Sequence, residues 1–484
     1  MHYKTIFRYV GLLLLMFSVS MLPPILITII FSEHIWAPFA IPFALIILIG
    51  GSAWLKFRHE TLVLTLREGF LIVVFTWIAV CFFASLPFLL CEQVKITTTD
   101  AVFEAVSAIT TTGAECFDNL NQLPRTILYY HQQLQMVGGM GIVVLAVAIF
   151  PMLGMGGLEL FQVETSNPIK NNKLTPRITQ TAKSLWIIYC FLTIMCAISY
   201  WYAGMDWFHA LGESFGTVST GGLSMYDNGF ITYNSQFIEG IAIVFMLFSA
   251  VSFTLHYLAF QQHSISVYWK SEELRTFLKI VLALCLLIFG LLKMEGYLTK
   301  TSLSALDVVF IVISVISSTG ITFHSIDDWP LFAPILIILI SIIGGCAGST
   351  TGGIKVLRFL LFLKHGKREF MRELHPQAVL TVKLDQKSIS ELILQSIFGF
   401  VFIFFIIFAI FVLLFMACNN DFITSFSLAV SGVANASGSG IGAVKDSFAP
   451  LNDPSKWLLV LAMLTGRLEI FPLFIILTRA FWQK

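Results

Sequence analysis

Asp100-Ala101-Val102-Phe103-Glu104-Ala105-Val106-Ser107-Ala108-Ile109-Thr110-Thr111-Thr112-Gly113 carries an apolar run, 101–109, that is half the length of a membrane span and closes on three threonines and a glycine. At about 1.5 Å per helical residue, such a run cannot cross a hydrocarbon core of about 30 Å. It nevertheless stands between two runs that can, 69–90 and 128–150. A half-helix that enters the membrane, followed by an extended polar return, reconciles the two observations.

The arrangement recurs three times. Runs 207–216, 308–316 and 422–430 lead into Val218-Ser219-Thr220-Gly221, Ser317-Ser318-Thr319-Gly320 and Asn435-Ala436-Ser437-Gly438, each between full-length apolar runs. Non-helical backbone at membrane depth is tolerated only where protein buries it or where it lines a polar cavity. Four such segments predict one cavity with fourfold pseudosymmetry, which is how a single chain can build an ion filter. Small-residue contacts between packed helices would explain any one of these glycines. They do not explain four at equivalent places after half-length runs.

The rest of the chain fits a membrane bundle. It is 57% hydrophobic and 12% charged, with a mean hydropathy of +0.86, where a soluble domain carries about 25% charged residues. Runs 9–31, 35–55, 69–90, 128–150, 184–203, 237–260, 277–292, 331–363, 392–418 and 457–480 predict ten spans. The first is longer than the apolar core of a signal peptide, about 7–15 residues, and no A-x-A-like site follows, so it reads as a retained helix. The expected fold is an all-α polytopic membrane protein. An N-terminal helix pair (1–64) precedes four helix–pore-loop–helix repeats, at 65–157, 158–262, 263–388 and 389–484. A net charge of +1 gives no case for nucleic acid. The cysteines and histidines show no metal-ligand spacing, and no organic cofactor motif is found.

Asp100, Asp206, Asp307 and Asp421 open the four half-helices, where a carboxylate satisfies free N–H groups and complements the positive helix end. Basic residues such as Lys4, Arg8, Lys364, Lys367, Arg368, Arg372 and Lys484 concentrate on the side bearing both termini, with Lys355 counted at its membrane edge. The opposite side holds only Lys95, Arg125, Lys293, Lys300, Lys445 and Lys456. The positive-inside rule then makes both termini cytoplasmic and opens the half-helix loops outward. Asp118, Asp227, Asp327, Asp328, Asp446 and Asp453 lie on that outer face, either raising local cation concentration or serving as ordinary loop residues.

The polar segments suit a monovalent cation. Backbone carbonyls replace a hydration shell without a fixed charge that would trap the ion. Glycine permits the backbone angles that turn successive carbonyls, and the negative helix ends favour cations. Two further features stand out. Gly344, Gly345, Gly348, Gly352 and Gly353 interrupt the run 331–363, where each glycine costs about 1 kcal/mol in a helix. The stretch is either a loop able to swing aside or a structural kink. It is not a phosphate-binding loop, because Ile354 stands where lysine is required. Arg467, within the last span, is costly in lipid and so faces protein or water, with a buried ion pair as one way to hold it. Glu104 and Glu213, within half-helices, either bond the filter backbone or reach the outer vestibule.

These motifs resemble the TrkH/Ktr/HKT superfamily of potassium and sodium transporters over nearly the whole chain, and the extra helix pair makes the pattern most like TrkH proteins. Ser219-Thr220-Gly221-Gly222 and Ser317-Ser318-Thr319-Gly320 resemble the family's second and third filters. Gly344–Lys355 resembles its intramembrane loop, and Thr465-Gly466-Arg467-Leu468-Glu469 its arginine stretch. The resemblance implies a K⁺ filter formed by Thr111, Thr112, Gly113, Ser219, Thr220, Gly221, Ser318, Thr319, Gly320, Asn435, Ala436, Ser437 and Gly438. It also implies a gate formed by Gly344, Gly345, Gly348, Ser349, Thr350, Thr351, Gly352, Gly353 and Arg467. Sodium-selective plant relatives typically carry serine in the first filter, so Gly113 argues for potassium. The fourth filter departs from the family's N-N-x-G-P-G-x-G, since Ala436 and Ser439 replace the second Asn and the Pro.

The function expected from this resemblance is K⁺ uptake across a bacterial cytoplasmic membrane. The chain would act as a homodimer in lipid, with surfaces at 158–183 and 364–391 docking a ring of TrkA-type nucleotide-binding subunits. The alternative is a secondary transporter coupling K⁺ to H⁺ or Na⁺, since broken helices near the midplane fit that class too. A membrane enzyme is disfavoured by the absence of H-E-x-x-H and G-x-S-x-G.

Overall fold

The computed structural model describes residues 2–59, 65–117, 119–149, 174–297, 304–321, 329–330, 332–378, 380–436, 441–444 and 447–483. Among them, six helices are long and apolar enough to cross a membrane, and two helix pairs meet the same test across a sharp bend. The other two expected spans are Arg125–Ile149, which carries His131, Gln132, Gln133 and Gln135, and a helix in two pieces, Phe332–Ser341 and Val356–Leu374.

In the N-terminal pair, Tyr3–Ser18 passes through a 3₁₀ turn at Val19–Met21 into Leu22–Ile30, and Ala37–Phe57 returns antiparallel to it. Pro23 and Pro24 lack donors, which the first turn of a helix does not need, so the helix restarts there. Glu33 then ties the pair to the first repeat. It accepts from Arg125 N (2.8 Å), Thr126 N (3.0 Å) and Thr126 Oγ1 (2.7 Å), capping the Arg125–Ile149 helix from another part of the chain. Glu33→Ala is expected to destabilise the detergent-solubilised protein by about 1–2 kcal/mol, read as a lower thermal midpoint. An unchanged midpoint would mean that the cap carries no weight.

The half-helices are Thr98–Ile109, Trp207–Ser219, Ala305–Ile316 and Phe422–Val433, all too short to span. Their aspartates divide into two kinds. Asp206 and Asp421 are N-caps, accepting from Phe208 N and from Ile423 N and Thr424 N respectively. Asp100 and Asp307 instead stand at the third helical position, behind caps Thr97 and Ser304. Asp307 returns a bond to Ser304 N at 2.6 Å, completing a capping box.

Two predicted straight spans are broken. The run 237–260 forms Gln236–Ala250 and Phe253–Gln261, bent by 91°, and 457–480 forms Asp453–Arg467 and Phe471–Leu477, bent by 110°. The first break is held by another part of the chain. Cys346 N donates to Ala250 O (2.8 Å) and Phe253 N donates to Gly348 O (3.0 Å), so the glycine loop supplies bonds that the helix gives up. At the second, Glu469 and Ile470 take left-handed φ of 51° and 67°. Glu469 is pinned by Arg358 at 2.6 Å, whose guanidinium lies 4.3 Å from the Phe400 ring centroid. At the end of the third repeat, a short hairpin pairs Lys383–Leu384 with Lys387–Ser388, adding a small β element to the expected all-α fold.

Candidate filter and gate

Each half-helix ends in the same backbone turn. Thr111, Thr220, Ser318 and Asn435 take φ of 52°, 55°, 56° and 49°. The next residue in each segment donates to a carbonyl five residues back: Thr112 to Ser107, Gly221 to Gly216, Thr319 to Ser314 and Ala436 to Ser431. Two positions after the left-handed residue stand Gly113, Gly222 and Gly320, with φ of 80°, 76° and 76°. Counted from the N-cap, these three glycines each lie 16 residues on (113−97, 222−206, 320−304). Gly222, rather than the expected Gly221, is therefore the counterpart of Gly113 and Gly320. Gly221 corresponds to Thr112. The same count from Asp421 reaches Ser437, one residue before Gly438. Ser437 and Gly438 lie outside the described residues, as do Asp118, Asp327, Asp328 and Asp446.

The segments meet in chain order. A Cβ on Gly222 would lie 1.7 Å from Thr319 O, so the second and third segments touch backbone to backbone. Asn435 Nδ2 donates to Thr112 Oγ1 (2.9 Å) and Met463 O (3.0 Å), tying the fourth segment to the first and to the last span. Segments one and three carry matching hydroxyl pairs, Thr110–Thr112 at 2.8 Å and Ser317–Thr319 at 2.7 Å.

Behind the first two segments lie buried carboxylates. Glu104 Oε1 accepts from Cys116 N, and its Oε2 lies 2.9 Å from His131 Nε2, close enough for an ion pair though poorly aligned for a hydrogen bond. Glu213 Oε1 accepts from Met225 N (3.0 Å), Ser224 Oγ (2.7 Å) and Tyr233 Oη (3.4 Å). Of the two readings open for these residues, the bond to backbone after the turn is the one observed.

The glycine stretch is a loop. It starts after Ser341, takes left-handed φ at Gly344, Gly348, Gly353 and Lys355, and resumes helix at Val356. Gly353 N donates to Ala434 O at the end of the fourth half-helix (2.9 Å), and Thr350 Oγ1 reaches Val218 O (3.2 Å) and Ser249 O (3.3 Å). Thr220 Oγ1 donates to Thr350 Oγ1 at 3.2 Å. The loop is thus bonded to the second and fourth segments at once. Arg467, 3% exposed, donates to Gly138 O (2.8 Å) and to Thr350 O at 3.5 Å. Among the described residues no carboxylate pairs with it, and Glu469 is engaged by Arg358. Lys355 is not at the membrane edge, where the charge count placed it. It is buried within the loop, its Nζ bonded to Thr351 O and to Thr351 Oγ1 (3.0 Å). The loop motif Gly344–Lys355 ends on this residue, but a lysine so near the basic helix that follows reads as interfacial rather than buried.

A helix pair followed by four span–half-helix–span repeats, meeting beside the glycine loop, defines a polytopic helical membrane protein, and its relatives' names make it a transport protein rather than an enzyme. The chain belongs to the TrkH family of cation transport proteins, whose family model matches residues 37–484. It is 43% identical to the Trk system potassium uptake protein TrkH of Vibrio parahaemolyticus over 100% of both chains. It is 40% identical to the protein of that name from Escherichia coli K12, again over 100% of both. It matches the crystal structure of the potassium transporter TrkH from Vibrio parahaemolyticus with a TM-score of 0.91, at 40% identity and 100% coverage of both chains.

Proposed function

We propose that this chain is the ion-conducting subunit of a bacterial potassium uptake system, passing K⁺ inward through a filter built from the four half-helix ends. The observation that carries the reading is the same backbone turn at Thr111, Thr220, Ser318 and Asn435, followed in three segments by a left-handed glycine. Such turns reorient successive carbonyls, the ligands that strip a monovalent cation of water. The relatives' printed names, which describe potassium uptake, support K⁺ as the ion. The loop Gly344–Gly353 and Arg467 form the gate in this reading, because they bond the segments from one side.

The cytoplasmic face carries the termini, 364–391 and the described part of 158–183, with 158–173 outside the described residues. A TrkA-type nucleotide-binding ring docks there, and two copies of the chain associate in the membrane. The hairpin at 383–388 is part of that surface. It is held to the third repeat by Lys364, which bonds Glu272 Oε1 (2.5 Å) and Lys383 O (2.7 Å).

Uptake of K⁺, Rb⁺ and Na⁺ by cells lacking other potassium systems tests the reading. Expression of the chain is expected to restore growth at low K⁺, with K⁺ and Rb⁺ entering in preference to Na⁺, and Gly113→Ser should erode that preference. Equal entry of Na⁺, or a preference indifferent to Gly113→Ser, would remove the filter assignment. Single-channel recording separates the pore from a K⁺-coupled transporter, which gives stoichiometric flux without conductance steps.

A further inference from the structure

The return strands that follow the candidate filter turns are not held alike in the four repeats. In the first, Cys116, three residues after Gly113, donates its N–H to Glu104; in the second, Met225, three residues after Gly222, donates to Glu213. Both carboxylates stand seven residues before the left-handed turn residue (111−104, 220−213) and twelve before the donor they hold. The same count in the third and fourth repeats reaches Ile311 and Leu428, both buried and neither able to accept a hydrogen bond (318−7, 435−7). Glu104 and Glu213 are 0% and 1% exposed, so neither reaches the outer vestibule.

Burying a carboxylate is costly unless it is bonded, so two of them at one register position call for a reason. A strand leaving a re-entrant turn has N–H groups that neither helix nor water satisfies, and an inward carboxylate is the acceptor that fixes its height relative to the half-helix. In the first repeat the acceptor is itself oriented. His131, from the following span, lies 2.9 Å from the second oxygen of Glu104 and is wedged edge-to-face against Phe88 and Phe117. In the second, Ser224 and Tyr233 take that part by bonding the same oxygen that holds Met225.

We propose that Glu104, oriented by His131, and Glu213 are positioning residues that set the ion preference of the first two filter segments through the hydrogen bond each accepts from its return strand. They do not touch the ion. Their reach, rather than their charge, is what the filter uses, and the third and fourth segments are fixed by other means. The proposal rests on the conduction reading given above.

Two substitutions at each position separate reach from charge. Glu104→Gln and Glu213→Gln keep an acceptor at full length and lose the charge. At position 104 the oxygen that holds Cys116 is kept, and the new amide nitrogen takes the place of the oxygen beside His131. Glu104→Asp and Glu213→Asp keep the charge and draw the acceptor back by about 1.5 Å, one carbon–carbon bond. Radioactive rubidium uptake into cells lacking other potassium systems is measured with increasing competing Na⁺ and normalised to membrane-inserted protein. The Asp variants are expected to lose Rb⁺-over-Na⁺ preference by about tenfold, the order of one lost hydrogen bond, and the Gln variants to keep it. Preference lost in Gln and kept in Asp would show that charge acts, and overturns the proposal. Preference kept in both, or lost alike in both, also overturns it. A wild-type chain with no preference for Rb⁺ over Na⁺ would instead defeat the conduction reading, before any variant is compared.

Discussion

Arg467→Ala is expected to raise cation flux through the purified, reconstituted protein by about tenfold or more in the absence of any partner. The guanidinium is buried, bridges the carbonyls of Gly138 and Thr350, and faces no carboxylate among the described residues. A structural arginine at this depth would be paired, because an unpaired buried cation is costly. Here the neighbouring carboxylate, Glu469, is instead engaged by Arg358. What remains is a fixed positive charge bonded to the loop that itself bonds the second and fourth segments. With an effective dielectric near 20, such a charge opposes a permeant cation by roughly 2 kcal/mol at about 8 Å, a factor of about 30 in occupancy. Alanine removes that charge and the tether on Thr350 together. Rubidium influx into liposomes reads the effect, and a thermal melt of the same preparation reads stability. Unchanged influx with a lowered melting point would return Arg467 to a purely structural role. Arg467→Lys should fall between the two, since an ammonium lacks the planar fork that spans two carbonyls.

The parts of the fold legible in the sequence were those set by length and composition. Half-helices are too short to cross, and the five glycines of 344–353 unwind a helix, so both were readable without a partner in view. The breaks at Val251–Ser252 and at Glu469–Ile470 were not. The first carries no glycine or proline, and the second is marked only by Gly466 before it and Pro472 in the first turn after it; at each, a distant group supplies what the helix loses. Those groups are Cys346 N and Gly348 O for the first break, and the Arg358–Glu469 pair for the second. Lys355 was misplaced for a related reason: its burial depends on the loop folding back so that Thr351 can hold the ammonium.

The candidate site divides along the same line. That four segments exist follows from a repeated pattern, and Asn435 was picked out with them. Its structural task was not legible, because the bond to Thr112 joins residues 323 apart in the chain. Register was the finer failure. Ser219-Thr220-Gly221-Gly222 offers two glycines, and aligning on the first seemed natural beside Thr319-Gly320. The aspartates are not equivalent reference points, because Asp206 and Asp421 are caps whereas Asp100 and Asp307 stand at the third helical position. Counted from the N-caps, the left-handed glycines of the first three segments share one register.

That register predicts a large difference between two adjacent glycines. Gly222→Ala is expected to abolish selective uptake, whereas Gly221→Ala should be much milder. At Gly222 the φ of 76° alone costs an alanine about 1–2 kcal/mol, and its Cβ would fall 1.7 Å from Thr319 O and 3.2 Å from the Gly320 carbonyl carbon. Neither is the end of a flexible side chain, so the third segment's backbone must move, and with it the carbonyls that the conduction reading makes ion ligands. At Gly221 the nearest atom to a new Cβ is Gln135 Oε1, at 2.2 Å, the far end of a side chain that can turn away. Turning costs Gln135 its bond from Leu223 N at 3.1 Å and disturbs the one it donates to Gln132 Oε1 at 2.7 Å, so some loss of uptake is expected, about that of one or two hydrogen bonds. Both variants are measured for K⁺ uptake under Na⁺ competition, normalised to membrane-inserted protein. Equal damage at both positions, or worse damage at Gly221, would show that the glycine aligned with Gly113 and Gly320 is Gly221 after all. The shared left-handed turn would then not mark where the ion is held.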